Sequence, residues 1–348
     1  MRVVSVGSAF PPHRYEQEEL VAAFRAAWAG HFFNPARLEQ IHKNVLVGGR
    51  NLALQMEDYL SLAGFGAAND AFIRVGTEVG GQAVAAALRE AGLAPKDVDA
   101  IWFVSVTGMA APSIDARLVN RLGLRPDVKR TPIFGLGCVA GAAGVARVAD
   151  YLAGHPDDIA VLLSVELCSL TLQREDLSIP NLIATGLFGD GAACVVMAGK
   201  NRPLPGPQVL TSRSVFYPDT EELMGWRIGE KGFQIVLSSD VPQVVHRYLR
   251  SDMDRFLADA GLGYEDIGLW IAHPGGPKVL EAMEAAFPFK PGALDLTWKS
   301  LREVGNLSSA SVLMVLRDTL ATRPPPGTYG VLLAMGPGFC SELVLLKW

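Results

Sequence analysis

Cys138, His273 and Asn306 are the side chains on which chemistry is most readily built in this chain. Cys138 lies in "IFGLGCVAGAAGVARVADYL", Ile133 to Leu152, where a short apolar segment meets a helix-like run of small residues. A thiol at a helix N-terminus feels unpaired backbone N–H groups that lower its pKa, and a nearby imidazole would lower it further as an ion pair. Such a cysteine accepts acyl groups. His273 in "WIAHPGGP" ends an apolar run, and Asn306 in "VGNLSSAS" opens a second helical segment. Together they could donate two hydrogen bonds to one carbonyl oxygen as it becomes an enolate or oxyanion. Donors without a carboxylate orienter suit loss of CO2 from a malonyl thioester, which needs a polarised carbonyl and no strong base. Taken singly, Cys138 is also a small buried hydrophobe, and Asn306 a helix cap followed by Ser308 and Ser309. Their joint placement turns the reading to function.

The elements that must position these residues follow βαβ grammar. "DAIWFVSVTG" is a buried strand ending at a loop, and "IDARLVNRLGL" has helical spacing. The opening stretch then reads strand, Gly-Cys, helix to about Leu152, turn, and strand "IAVLLSVEL". A helix is expected from near Gly76, and another around "EQEELVAAFRAAWAGHF". The C-terminal half repeats the pattern. "AGLAPKDVDAIWFVS" matches "AGLGYEDIGLWIAHPGG" at 260 - 91 = 169, "GCVAGAAGVARVADYLAG" matches "GNLSSASVLMVLRDTLAT" at 306 - 138 = 168, and "VLLSVEL" matches "VLLAMGPG" at 331 - 161 = 170. Three blocks in one order at nearly one offset indicate two similar α/β halves. The join falls in the Pro- and Gly-rich segment 198–209, giving units 1–200 and 201–348. Cys138 and Asn306 then occupy equivalent helix starts near a pseudo-twofold axis, and His273 stands at a C-terminal strand edge, where such sheets place ligands.

Composition limits the alternatives. A hydrophobic content of 49% with 19% charged residues suits a large globular core, and the net charge of -5 argues against nucleic acid or an anionic membrane as the main partner. The four cysteines include no metal-ligand pairing such as CxxC. "MRVVSVGSAFPP" lacks a secretory apolar core, and no apolar run reaches a spanning length. A cytoplasmic protein with free thiols and no metal or redox cofactor is expected. His13, His31, His42, His155 and His246 read as surface or structural.

With these residues assembled, the chain resembles the type III polyketide synthases, the chalcone and stilbene synthase family of the thiolase superfamily. The motifs that carry the resemblance are "GLRPDVKRTPIFGLGCVAG", "LFGDGAA", "WIAHPGGPKVL", "VGNLSSASVL" and "GPGFCSELVLL". It implies a thiolase-like αβαβα layered fold and a homodimer that uses an acyl-CoA starter and malonyl-CoA. Cys138 would carry the growing chain, with His273 and Asn306 driving decarboxylation. Phe188 and Phe233 match the family's two gatekeepers. Thr171, Ser308, Met224, Gly225 and Cys168 fall at cavity positions, and the loop Gly336, Pro337, Gly338 at the cavity wall. Arg37, Lys43 and Arg50 are candidates for coenzyme A phosphates, against a reading as solvated surface charges.

The chain also departs from plant members of the family. Ala111 stands where they place a methionine that enters the partner's cavity, for which Met109 could substitute, and Gly-Leu replaces Gln-Gln before Gly-Cys. These features suggest a bacterial-type member, with an alkylpyrone or alkylresorcinol from a medium or long acyl starter as the favoured product. The main alternative is a ketosynthase III-type enzyme making one condensation on a carrier protein, which usually shows His-Gln-Ala-Asn instead of "HPGG". A papain-like hydrolase shares the order Cys, His, Asn but not its Cys-Gly-Ser-Cys-Trp signature, and a noncatalytic scaffold would have no need of the trio.

Overall fold

The structure, a computed structural model, describes residues 1–28 and 34–348; His31 lies outside them. Its strands in chain order are β1 (Arg2–Ala9), β2 (His13–Glu16), β3 (Gly49–Leu52), β4 (Ala100–Ser105), β5 (Lys129–Phe134), β6 (Ile159–Leu167) and β7 (Asp190–Ala198). In the second half follow β8 (Gln208–Phe216), β9 (Met224–Gly229), β10 (Gly232–Leu237), β11 (Ile267–Ala272), β12 (Tyr329–Gly336) and β13 (Cys340–Lys347). The strand order is β11-β12-β13-β8-β1-β7-β6-β4-β5, and the two halves of this array touch through the single β1/β8 pair Arg2 and Gln208. Each half has a parallel pair followed by an antiparallel one, β4/β6/β7 in the first and β11/β12/β13 in the second. β5 is an added edge strand without a counterpart.

Alternation along the strands produces the layers. On β6, Ala160 and Leu162 face a central core, while Val161, Leu163 and Val165 face an outer one packed on the helix Gly64–Ala91. On β12, Leu332 and Ala334 face the same central core, while Val331, Leu333 and Met335 pack towards the helices Arg250–Asp259 and Pro277–Ala286. Covered on both faces, these strands read as continuous apolar runs. The central layer is the helix pair Ala140–Gly154 and Ser311–Ala321, and the whole is a thiolase-like αβαβα stack of two similar halves. The helix expected near Gly76 begins at Gly64, because Ala71, Phe72 and Val75 extend its buried stripe one-sidedly past a Gly-rich start that hides the signal.

Candidate active site

Cys138 sits in the single 3-10 turn Gly137–Val139 that leads into the helix Ala140–Gly154. Gly137 has φ +57, and a Cβ there would lie 2.7 Å from Pro337 Cδ, so only glycine lets the Gly336–Pro337 loop close on the Cys138 turn. Asn306 occupies the equivalent place, just before the 3-10 turn Ser308–Ala310 and the helix Ser311–Ala321. His273 follows the last residue of β11, its backbone N–H donating to Leu333 O at 2.9 Å and its carbonyl accepting from Gly275 N at 2.9 Å.

All three side chains line one narrow pocket of about 50 Å³. The Asn306 carboxamide is oriented by its own loop. Oδ1 accepts from Ser308 N at 2.7 Å, and Nδ2 donates to Gly275 O at 3.2 Å. One N–H of that amide therefore remains for a ligand, and the bond to Gly275 ties it to the histidine loop. Both ring nitrogens of His273 are buried without a hydrogen-bond partner among the described residues. Burial holds this imidazole at about 3, so it is neutral, with one N–H to donate and one lone pair to accept.

Burial works against the expected thiolate–imidazolium pair. Burial pushes the Cys138 thiol up to about 12, and its Sγ donates to Ser308 Oγ at 3.7 Å. The physical reason is desolvation: in so dry a pocket, a one-turn 3-10 start does not offset the cost of a buried charge.

Below the site lies a buried carboxylate that sequence reasoning missed. Glu166, at the end of β6, accepts from Val106 N at 3.1 Å, Thr107 Oγ1 at 2.8 Å and Ser309 Oγ. It fastens the β4 and β6 ends to the Asn306-side turn. A carboxylate placed mid-run in "VLLSVEL", which costs free energy unless partnered, was the available signal.

The pocket receives Ser308, Phe188, Met224, Gly225 and Pro337 of the expected wall, while Gly336 and Gly338 support it from behind. Cys168 and Thr171 line a separate, mostly apolar cavity of about 780 Å³. Phe188, Trp226 and Ile235 are common to both spaces and form the partition between them. Phe233 is not part of it. It is buried among Phe65, Phe134 and Trp226, with ring centroids 5.7, 6.3 and 6.0 Å away, and Ile235 stands in the partition instead. The cause is register: β9 and β10 form a hairpin pairing Ile235 with Trp226, which places Phe233 one pleat repeat further out. A two-residue Glu-Lys turn between glycines, flanked by "MGWRIG" and "GFQIVL", was the signal for that hairpin. Arg37 and Lys43 are exposed on the helix Pro35–Asn44, as a phosphate contact requires, but Arg50 is 3% exposed and unsuited to a surface phosphate.

Residues 1–201 match the family described as chalcone and stilbene synthases, N-terminal domain, and residues 208–348 match its C-terminal domain. The chain belongs to the chalcone and stilbene synthase family. This chalcone synthase-like protein is 54% identical over 350 residues to a 1,3,6,8-tetrahydroxynaphthalene synthase of Streptomyces peucetius, covering 99% of this chain and 93% of that one. It is 34% identical to a putative chalcone synthase of Bacillus subtilis, covering 99% and 98%. The crystal structure of the 1,3,6,8-tetrahydroxynaphthalene synthase of Streptomyces coelicolor A3(2), a bacterial type III polyketide synthase, superposes with a TM-score of 0.94 at 30% identity, covering 100% of this chain and 99% of that one. The protein is a type III polyketide synthase, an acyltransferase that builds polyketides by iterative decarboxylative condensation of malonyl-CoA.

Proposed function

We propose that Cys138 is the acyl anchor and that His273 and Asn306 drive decarboxylation. The observation that carries this is the meeting of the three in one pocket, with a free N–H on Asn306 and both nitrogens of His273 unengaged. In the loading step the Cys138 sulfur forms a bond to the carbonyl carbon of a coenzyme A thioester. The bond to the coenzyme A sulfur breaks, and the thiol proton passes through the free lone pair of His273 to the leaving thiolate. In the next step the carbonyl oxygen of malonyl-CoA accepts hydrogen bonds from His273 and Asn306. The carbon–carboxylate bond breaks, CO2 leaves, and the electron pair rests on an enolate held by the two donors. The enolate carbon attacks the Cys138 thioester, and the cysteine sulfur departs with the electrons of its bond. These side chains supply every group the sequence of steps needs, so no metal or redox cofactor enters the reading.

For the product, the 54% identity supports a reading in which malonyl-CoA both primes and extends the chain, folding it into a naphthalene skeleton. A second reading, an acyl-primed alkylpyrone or alkylresorcinol, is favoured by the cavity of about 780 Å³, whose wall is mostly apolar. Mass spectrometry of products from malonyl-CoA alone, and from malonyl-CoA with a panel of acyl-CoA starters, separates the two. A tetrahydroxynaphthalene from malonyl-CoA alone is the expected result, and no product without an acyl starter overturns it. Loss of CO2 release in His273→Gln and Asn306→Ala tests the catalytic assignment.

We also propose a cytoplasmic homodimer formed across β5. This edge strand exposes Lys129 to Pro132, with Met109 and Phe134 exposed by 47% and 48% alongside it. No helix among the described residues is long and apolar enough to cross a membrane. Sedimentation at micromolar concentration should give twice the chain mass, and Phe134→Lys should give the monomer.

A further inference from the structure

Arg50 lies at the middle of the short strand β3, and its guanidinium is buried. Among the described residues it has no carboxylate within ion-pair distance. The nearby Asp190 carboxylate is engaged instead by Ala53 N at 2.6 Å, Ser169 N at 2.8 Å and the Ser169 hydroxyl. Nε and Nη2 of Arg50 have no partner among the described residues, whereas Nη1 donates to the Phe188 carbonyl at 2.7 Å. An unpaired buried cation is expensive, and an aliphatic side chain would fill the slot at lower cost. The one strong bond it makes shows where that cost is spent.

Phe188 and Asn306 form a parallel β-bridge. Asn306 N donates to Leu187 O at 2.9 Å, and Gly189 N donates to Asn306 O at 3.0 Å. The stem of Arg50 runs under both strands of this bridge. A Cβ on Gly305 would lie 3.3 Å from Arg50 Cγ and Cδ and 2.6 Å from Leu187 O. A Cβ on Gly189 would lie 2.6 Å from Val304 O and 3.5 Å from Arg50 Cβ. Gly305 has φ +74, so its backbone and the space beside it both demand glycine. One side chain thus clamps the partition residue Phe188 and the backbone that carries Asn306.

We propose that Arg50 is a positioning residue that sets the Asn306 carboxamide through the Phe188 bridge, so that the cavity partition and the oxyanion donor are held as one unit. This rests on the reading of Asn306 as an oxyanion donor. Arg50→Met keeps the stem under Gly305 and removes the bond to Phe188, while Arg50→Lys keeps the charge but not the planar fork. Two readouts are compared in the full-length enzyme: CO2 release from malonyl-CoA, and acylation of Cys138 by an acyl-CoA, followed by intact mass. Arg50→Met is expected to lower kcat for CO2 release by about tenfold, with KM and Cys138 acylation changed by less than about twofold. Arg50→Lys should fall between. In the Asn306→Ala background, Arg50→Met should add less than about twofold, because the group through which it acts is gone. Equal losses in acylation and CO2 release, or full additivity with Asn306→Ala, overturn the proposal. If Arg50→Met lacks a native near-ultraviolet spectrum, Arg50→Lys decides by the same two readouts. Asn306→Ala with undiminished CO2 release would instead remove the Asn306 assignment, and this coupling with it.

Discussion

Gly141 and Ser309 meet across the pseudo-twofold: a Cβ on Gly141 would stand 2.3 Å from the Ser309 carbonyl oxygen. The glycine lies one turn after Cys138 and the serine three residues after Asn306, so this backbone contact sets how near the Cys138 and Asn306 turns come. Gly141→Ala should therefore cost about 2 kcal/mol or more by overpacking, read as a lower denaturant midpoint, and should slow condensation in the protein that still folds. Gly154 ends the same helix with open space around it. Gly154→Ala should be neutral or stabilise by up to about 1 kcal/mol, and a comparable loss there would refute the packing explanation.

Trp226 separates the small pocket of Cys138, His273 and Asn306 from the cavity of about 780 Å³. Replacing it with alanine merges the two spaces. The ratio of long-chain to short-chain acyl-CoA incorporation should rise by about fivefold or more, a modest figure for hydrophobic discrimination. Phe233→Ala, which lines neither space but packs against Trp226, should change that ratio less than Trp226→Ala while lowering stability. Competition assays with paired starters, analysed by mass spectrometry, measure both.

The upward push of burial on the Cys138 thiol has a kinetic signature. With its thiol pushed up to about 12 by burial, alkylation by iodoacetamide should accelerate by about tenfold per pH unit between pH 7 and 9, without a plateau. Peptide mass spectrometry separates modification at Cys138 from that at the half-buried Cys340. A rate already flat from pH 6 to 8 would mean a resting thiolate and would show that burial does not govern this thiol.

Burial holds His42 and His273 at about 3, against an ordinary 6.5. The folded state keeps both neutral while the unfolded chain protonates them, so their contribution to stability is present above pH 6.5 and is lost as pH falls towards 3. Asp190, pushed up to about 6, and Glu166, also pushed up by burial, act in the opposite sense in the acid range. The clean measurement is a difference. Between pH 4 and 6, His273→Gln should unfold with about one proton less taken up than the wild type. Identical pH slopes would show that His273 is not buried in its neutral form.

Much of the site was legible in the chain because it rests on local pattern. Apolar runs of strand length, small-residue helices and Gly-Cys or Gly-Asn seams recur at one offset, and that recurrence placed Cys138 and Asn306 at equivalent helix starts before any contact was known. His273 at a strand end was legible for the same reason. The resemblance to type III polyketide synthases rested on motifs of this local kind.

What the tertiary structure alone decided depends on groups distant in sequence. The partition residue is Ile235 and not Phe233, because a hairpin register selects it. Arg50 is a buried clamp and not a surface charge, because Gly189 and Gly305 leave a slot across which β3 is laid. The Cys138 thiol is pushed up, because neighbours from both halves exclude water from it. Residue types and spacing determine which groups a fold can present, whereas register, desolvation and cavity shape arise only when segments far apart in the chain are packed together.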